Sequence, residues 1–147
     1  MTELTADEIA TRSAAAMWAN DDASKHLGLT IKSVTPGQAV LSMQVESHHT
    51  NGHDICHGGY IFTLADSAFA YACNSYNQVT VAQQNSITFV APGKLGDTLT
   101  ATTTEVSRSA RSGVYDAVVT NQLNETIALF RGNSRTLNRT VFNEETP

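Results

Sequence analysis

A chain of 147 residues, 41% hydrophobic and 16% charged, has the composition of an ordinary globular domain long enough to bury one sizeable core. Its net charge of −5 argues against a general role on nucleic acid or an anionic membrane surface, while a local basic patch can still hold a phosphorylated ligand. There is no secretory signal, no apolar run of membrane-spanning length and no disulfide framework in the two cysteines, Cys56 and Cys73, so a reducing, cytoplasmic setting is expected.

Residues 5–19 read as a helix: Thr5 is an N-cap candidate with Glu8 three residues on, the spacing of a capping box, and Met17 and Trp18 are expected to pack on the rest of the fold. Asn20-Asp21-Asp22 breaks the helix, and a short turn from Ala23 to Leu27 ends at Gly28, closing an N-terminal helical segment of residues 1–27. Residues 29–34 and 38–47 read as two strands around the turn Thr35-Pro36-Gly37. The second alternates, with Ala39, Leu41, Met43 and Val45 toward one face and Val40, Ser42, Gln44 and Glu46 toward the other. A polar, glycine-broken loop follows over 48–57, then a helix from Gly58 or Gly59 to about Asn74. Val79 to Val90 reads as a strand bent near Gln83-Gln84-Asn85. After the turn-rich 91–97, the segments Thr98 to Ser109, Val114 to Gln122 and Thr126 to Arg135 have hairpin spacing and form an antiparallel meander. The tail from Asn138 is polar and expected to fray. One long helix with five or six mostly antiparallel strands makes a single α+β domain over 1–147, because a sheet with one buried face needs an apolar cover and the central helix supplies it.

That helix carries the chemistry. It is apolar around most of its circumference, so it should be buried, yet it holds a carboxylate, Asp66, in its middle. A buried carboxylate is costly unless it is paired or faces a cavity. Asp66 is therefore a candidate base or nucleophile, with a structural carboxylate bonded to backbone or to Ser67 as the plainer alternative. At the helix start, His57-Gly58-Gly59 presents N–H groups that have no intrahelical partner, a site suited to the oxyanion of an attacked carbonyl. Nine residues of helix separate His57 from Asp66, roughly 900° of rotation and about 13.5 Å of rise. The two cannot meet across one substrate atom within a chain. If both act on one bond, a second copy must supply one of them, which predicts an obligate homodimer with shared active sites. The small residues Ala65, Ser67, Ala68, Ala70 and Ala72 permit close approach of another element.

The text N-G-H-D-I-C-H-G-G-Y-I-F-T-L-A-D-S-A-F-A-Y-A-C-N-S from Asn51 closely resembles the PaaI family of hotdog-fold acyl-CoA thioesterases, associated with phenylacetate degradation. The resemblance continues through F-V-A-P-G-K-L-G-D-T-L-T-A at 89–101, S-G-V-Y-D at 112–116 and I-A-L-F-R-G at 127–132, and so covers most of the chain. It implies a hotdog fold, a sheet wrapped around the long helix. It further implies hydrolysis of an acyl-CoA thioester, with phenylacetyl-CoA or its hydroxylated derivatives preferred, no cofactor beyond the CoA of the substrate, no metal, and dimers that often pair into homotetramers. Carried over residue by residue, it makes Asp66 the catalytic carboxylate and Gly58 the N–H donor to the thioester carbonyl. Asn51 and His57 would position the carbonyl and the water.

Other constellations are weaker. Four of the five histidines, His48, His49, His53 and His57, fall within 48–57 and with Asp54 and Cys56 make the best metal candidate, His53 and His57 being a possible pair, although no second ligand cluster occurs elsewhere. Cys56 beside His57 lacks a residue to orient the pair as a nucleophile. Arg108, Arg111, Arg131, Arg135 and Arg139, with Lys94, are candidates for the phosphates of CoA or for solvated strand edges. The aromatics Tyr60, Phe62, Phe69 and Tyr71 suit an aryl acyl group or a core. Two rival functions are an acyl-thioester dehydratase on the same fold, whose H-F-x-x-x-P-x-x-P-G pattern is absent, and a non-catalytic acyl-CoA sensor.

Overall fold

The computed structural model describes residues 2–146. The capping box forms as expected: Glu8 N–H donates to Thr5 Oγ1 at 3.2 Å and Thr5 N–H to Glu8 Oε2 at 2.8 Å, opening α1 (Ala6–Trp18). Asp21 caps α2 (Asp22–His26) by accepting from the Ser24 backbone N–H, so the expected short turn is a helical one. The strands are β1 (Thr30–Thr35), β2 (Gln38–Gln44), β3 (Thr80–Phe89), β4 (Thr98–Arg108), β5 (Ser112–Thr120) and β6 (Thr126–Thr136), and α3 spans Gly58–Cys73. They form one antiparallel sheet in the order β1-β2-β4-β5-β6-β3, the β4-β5-β6 meander at its centre. β3 lies at one edge although α3 precedes it, because the chain leaves the helix and crosses to pair with β6.

The sheet wraps α3. The alternation read in the second strand holds, with Ala39, Leu41, Met43 and Val45 all buried against the helix side. Leu99 and Ala101 of β4, Tyr115, Ala117 and Val119 of β5, and Phe130 of β6 complete the sheet's half of the core. From α3 come Ile61, Leu64, Ala65, Ala68, Phe69 and Ala72. Each large apolar side chain removed from water here contributes about 1.5–3 kcal/mol. Met17 and Trp18 pack on the outside of this core, as expected.

Two contacts fix how α3 lies on the sheet. Tyr71 Oη donates to Asp21 Oδ2 at 2.9 Å, tying the helix to the cap of α2. On the other side the Phe69 ring lies over Gly132 of β6, where an added Cβ would fall 2.8–2.9 Å from three ring atoms. Phe69 is fully buried and packed by Tyr115 and Phe130, so the ring cannot yield. Glycine at 132 thus sets the approach of the helix to the β6–β3 edge.

The C-terminal tail is not frayed. Asn77, buried and at φ 59°, accepts from the N–H groups of Val141 and Phe142 through Oδ1 and donates to Phe142 O and Glu144 Oε1 through Nδ2. Val79 N–H adds a bond to Arg139 O at 2.9 Å. A polar composition suggested a loose end, and one buried asparagine on another segment supplies the partners that hold it.

Candidate active site

The loop before α3 is held from several sides. His49 is buried, accepting from Glu46 N–H at Nδ1 and reaching Leu27 O through Nε2 at 2.9 Å, and burial pulls its pKa below the ordinary histidine value. Cys56 N–H donates to Gly93 O and His57 N–H to His49 O. Asn51 Oδ1 accepts from His53 N–H, which turns the loop and leaves the Asn51 amide N–H groups facing outward from an exposed side chain. His57 is the N-cap of α3. Its Nδ1 accepts from Gly59 N–H at 2.9 Å, which places the proton of the neutral ring on Nε2, so the exposed imidazole offers a donor.

With Gly59 N–H engaged by His57, and the N–H groups of Tyr60 and Ile61 by His57 O, Gly58 N–H meets no acceptor among the described residues. It sits at the positive end of a 16-residue helix, where a developing negative charge is stabilised. Asn51 and Gly58 line the same surface cavity, with Phe89 of β3 across from them.

Asp66 lies elsewhere. It opens into a separate cavity of about 650 Å³, walled by α1, α3, the start of β3 and the C-terminal tail, with Phe69, Val79, Val81 and Val141 among its apolar lining. Asn85 Nδ2 donates to Asp66 Oδ1 at 2.7 Å, and this is the one side-chain bond that the carboxylate makes among the described residues. Burial raises the Asp66 pKa above the ordinary carboxylate value, and the bond from Asn85 opposes that rise. The alternative of a structural carboxylate bonded to Ser67 is not what forms: Ser67 Oγ faces Ser24.

The geometry therefore splits the four candidates as the helix arithmetic requires. Asn51, His57 and Gly58 gather at the start of α3, while Asp66, eight residues beyond Gly58 and about 12 Å further along the axis, faces different space. β3 is the sheet edge beside both places, and most of its residues are exposed, including Val81, Ala82 and Phe89.

Sequence reasoning missed Asn85 as the partner of Asp66, and Arg139 and the tail as parts of the Asp66 cavity. The signal for Asn85 was the polar run at 83–85 inside a strand. A bulge between Ala82 and Gln84 inserts Gln83 as an extra residue, so that Gln84 pairs with outward Asn133 and Asn85 with Gly132 on the helix side. Other candidates are spent elsewhere. Arg131 pairs with Asp116 at 2.6 and 2.8 Å, and Arg108 lies 3.5 Å over the Tyr76 ring. Arg111 and Arg135 line a separate polar depression at the sheet end. Tyr60, Phe62, Phe69 and Tyr71 are all used in packing, and Phe69 also borders the Asp66 cavity. Burial pushes the Cys56 thiol up to about 11, so it is not a thiolate at neutral pH. Among the described residues no three of His, Cys, Asp and Glu converge on a point that could hold a metal, and no helix is long and apolar enough to cross a membrane.

The sequence matches the model of the thioesterase superfamily over residues 53–128. The chain belongs to this superfamily and is a thioester hydrolase with the hotdog fold. Among its relatives, the acyl-coenzyme A thioesterase PaaI of Escherichia coli K12 is 47% identical over 135 residues, 92% of this chain and 96% of that one. The solved structure of the E. coli PaaI protein from the phenylacetic acid degradation operon superposes with a TM-score of 0.91 at 46% identity, covering 92% of this chain and 99% of the other. A Streptococcus mutans protein solved bound to acetyl-CoA superposes with a TM-score of 0.73 at 30% identity, over 76% of this chain and 90% of that one. Membership sets aside the dehydratase and the non-catalytic sensor.

Proposed function

We propose that this chain hydrolyses acyl-CoA thioesters, with phenylacetyl-CoA and its ring-hydroxylated derivatives as preferred substrates, in a homodimer that is the unit of a tetramer. The observation that carries the reading is a carboxylate, Asp66, set in the wall of a mostly apolar cavity whose 650 Å³ is of the size that holds small ligands. The names of the E. coli relative and the acetyl-CoA bound to the S. mutans neighbour support CoA as the carrier. The phenylacetic acid degradation operon from which the E. coli structure comes supports an aryl acyl group.

Each site takes Asp66 from one copy and Asn51, His57 and Gly58 from the other, the two meeting where the exposed β3 edge leaves room. Asp66 removes a proton from water as the water oxygen bonds to the thioester carbon. Gly58 N–H holds the oxyanion, with Asn51 Nδ2 and His57 Nε2–H as neighbouring donors that orient the carbonyl. Collapse breaks the C–S bond, and the CoA thiolate leaves with the proton held by Asp66. A thiolate is a good leaving group, so no separate acid is required.

Free-thiol release from phenylacetyl-CoA, hydroxyphenylacetyl-CoA and a straight-chain acyl-CoA tests the assignment. The aryl substrates should be favoured in kcat/KM by about 10-fold or more, the discrimination that an apolar pocket can supply. Equal rates on all three would overturn the acyl preference, and no release from any of them would overturn CoA as the carrier.

A further inference from the structure

Asn85 touches the reacting carboxylate, and only half of its amide is used. Nδ2 donates to Asp66 Oδ1, while the Asn85 amide oxygen is buried with no hydrogen-bond partner among the described residues. The orientation is dictated by its neighbour, since turning the amide over would set two acceptors against each other at 2.7 Å. Folded chains retain few buried acceptors without partners, and one beside a functional carboxylate calls for a ligand. The strand spends a bulge to bring this residue to the helix side. The ligand must be a donor small enough to share the space with the carboxylate, and the reaction consumes one such molecule.

We propose that Asn85 holds the hydrolytic water: its amide N–H fixes Asp66 Oδ1 so that Oδ2 faces the water, and its amide oxygen accepts the hydrogen that Asp66 does not remove. This rests on Asp66 being the base. A water with one hydrogen on Asp66 and the other on Asn85 has two fixed partners, the minimum for an ordered site, and turns its lone pair outward to the thioester carbon. One O–H bond breaks, with its proton going to Asp66, and one C–O bond forms. The other O–H stays intact in the product acid, so its bond to Asn85 persists through the step. The remaining ionisable groups facing this cavity are Cys73, further along α3, and Arg139, from the tail, while α1 and β3 contribute none.

The test compares Asn85→Leu, which keeps the shape without polar atoms, and Asn85→Ser, which remains useful should the leucine variant be insoluble. Each is measured beside Asp66→Asn. Both Asn85 variants should lose about 10- to 100-fold in kcat, the scale of a misplaced reactant, with KM held within about threefold. The acid limb of the kcat/KM profile should move to higher pH, because the donor that favours ionised Asp66 is gone. Wild-type kcat, or a lowered kcat with an unmoved limb, would overturn the inference. If Asp66→Asn is dead while the Asn85 variants are fully active, only the role of Asn85 falls. If Asp66→Asn is active, the reading of Asp66 falls and this inference with it.

Discussion

Replacing Asp66 with asparagine lowers kcat about 10³-fold or more, the upper range of what a positioned general base supplies, and leaves the protein at least as stable as wild type. The two halves of this expectation come from one property. Burial raises the Asp66 pKa, so the folded chain holds that proton more tightly than the unfolded chain does. Above the folded pKa the ionised carboxylate opposes folding, and an amide of the same shape removes that cost. A structural carboxylate would behave in the opposite way, losing stability in proportion to activity. The pH profile follows with its sign: activity requires the ionised base, so it falls as pH drops through a pKa lying above 3.8, and this limb belongs to Asp66. Steady-state thiol release across pH, with thermal unfolding of both proteins, checks the set. A mutant within a few-fold of wild type, or one that is inactive because it is unstable, contradicts it.

The second large effect is at Gly58. Proline there removes the unpaired N–H and nothing else that the backbone needs. The first turn of a helix accepts proline, and His57, at φ −59° and ψ 132°, already has the extended conformation required of a residue before proline. Any Cβ at 58 comes within 2.9 Å of the tip of the Phe89 ring, so alanine is the control that carries the same crowding with the N–H retained. Phe89 is half exposed and can swing away. Gly58→Pro should therefore be about 10²–10³-fold slower in kcat than Gly58→Ala, the measured scale for losing one oxyanion donor. Equal rates for the two variants would mean that this N–H does not meet the oxyanion.

Much of this fold was legible because local signals agreed with the global one. The Thr5–Glu8 box, the alternation from Ala39 to Val45 and the hairpin spacing after Thr98 each mark an element that tertiary packing did not override. Helical geometry alone separated Asp66 from Gly58. What escaped was long-range. The tail looked free because its partner, Asn77, is 64 or more residues away. Asn85 looked like a polar interruption because the bulge that re-aims it changes parity by one residue, and alternation cannot show on which side the extra residue falls. The basic residues of the second half looked like one patch, but Arg131 and Arg108 are committed to Asp116 and Tyr76.

The shared site is tested most directly by mixing two dead chains. Asp66→Asn and Gly58→Pro are co-expressed in equal amounts and assayed against each parent alone. If Asp66 of one copy works with Gly58 of the other, half of randomly formed dimers are mixed and each holds one intact site, so activity returns to about a quarter of wild type. If each site is built within one chain, every site in the mixture carries a lesion, and activity no greater than the parents' average contradicts the account.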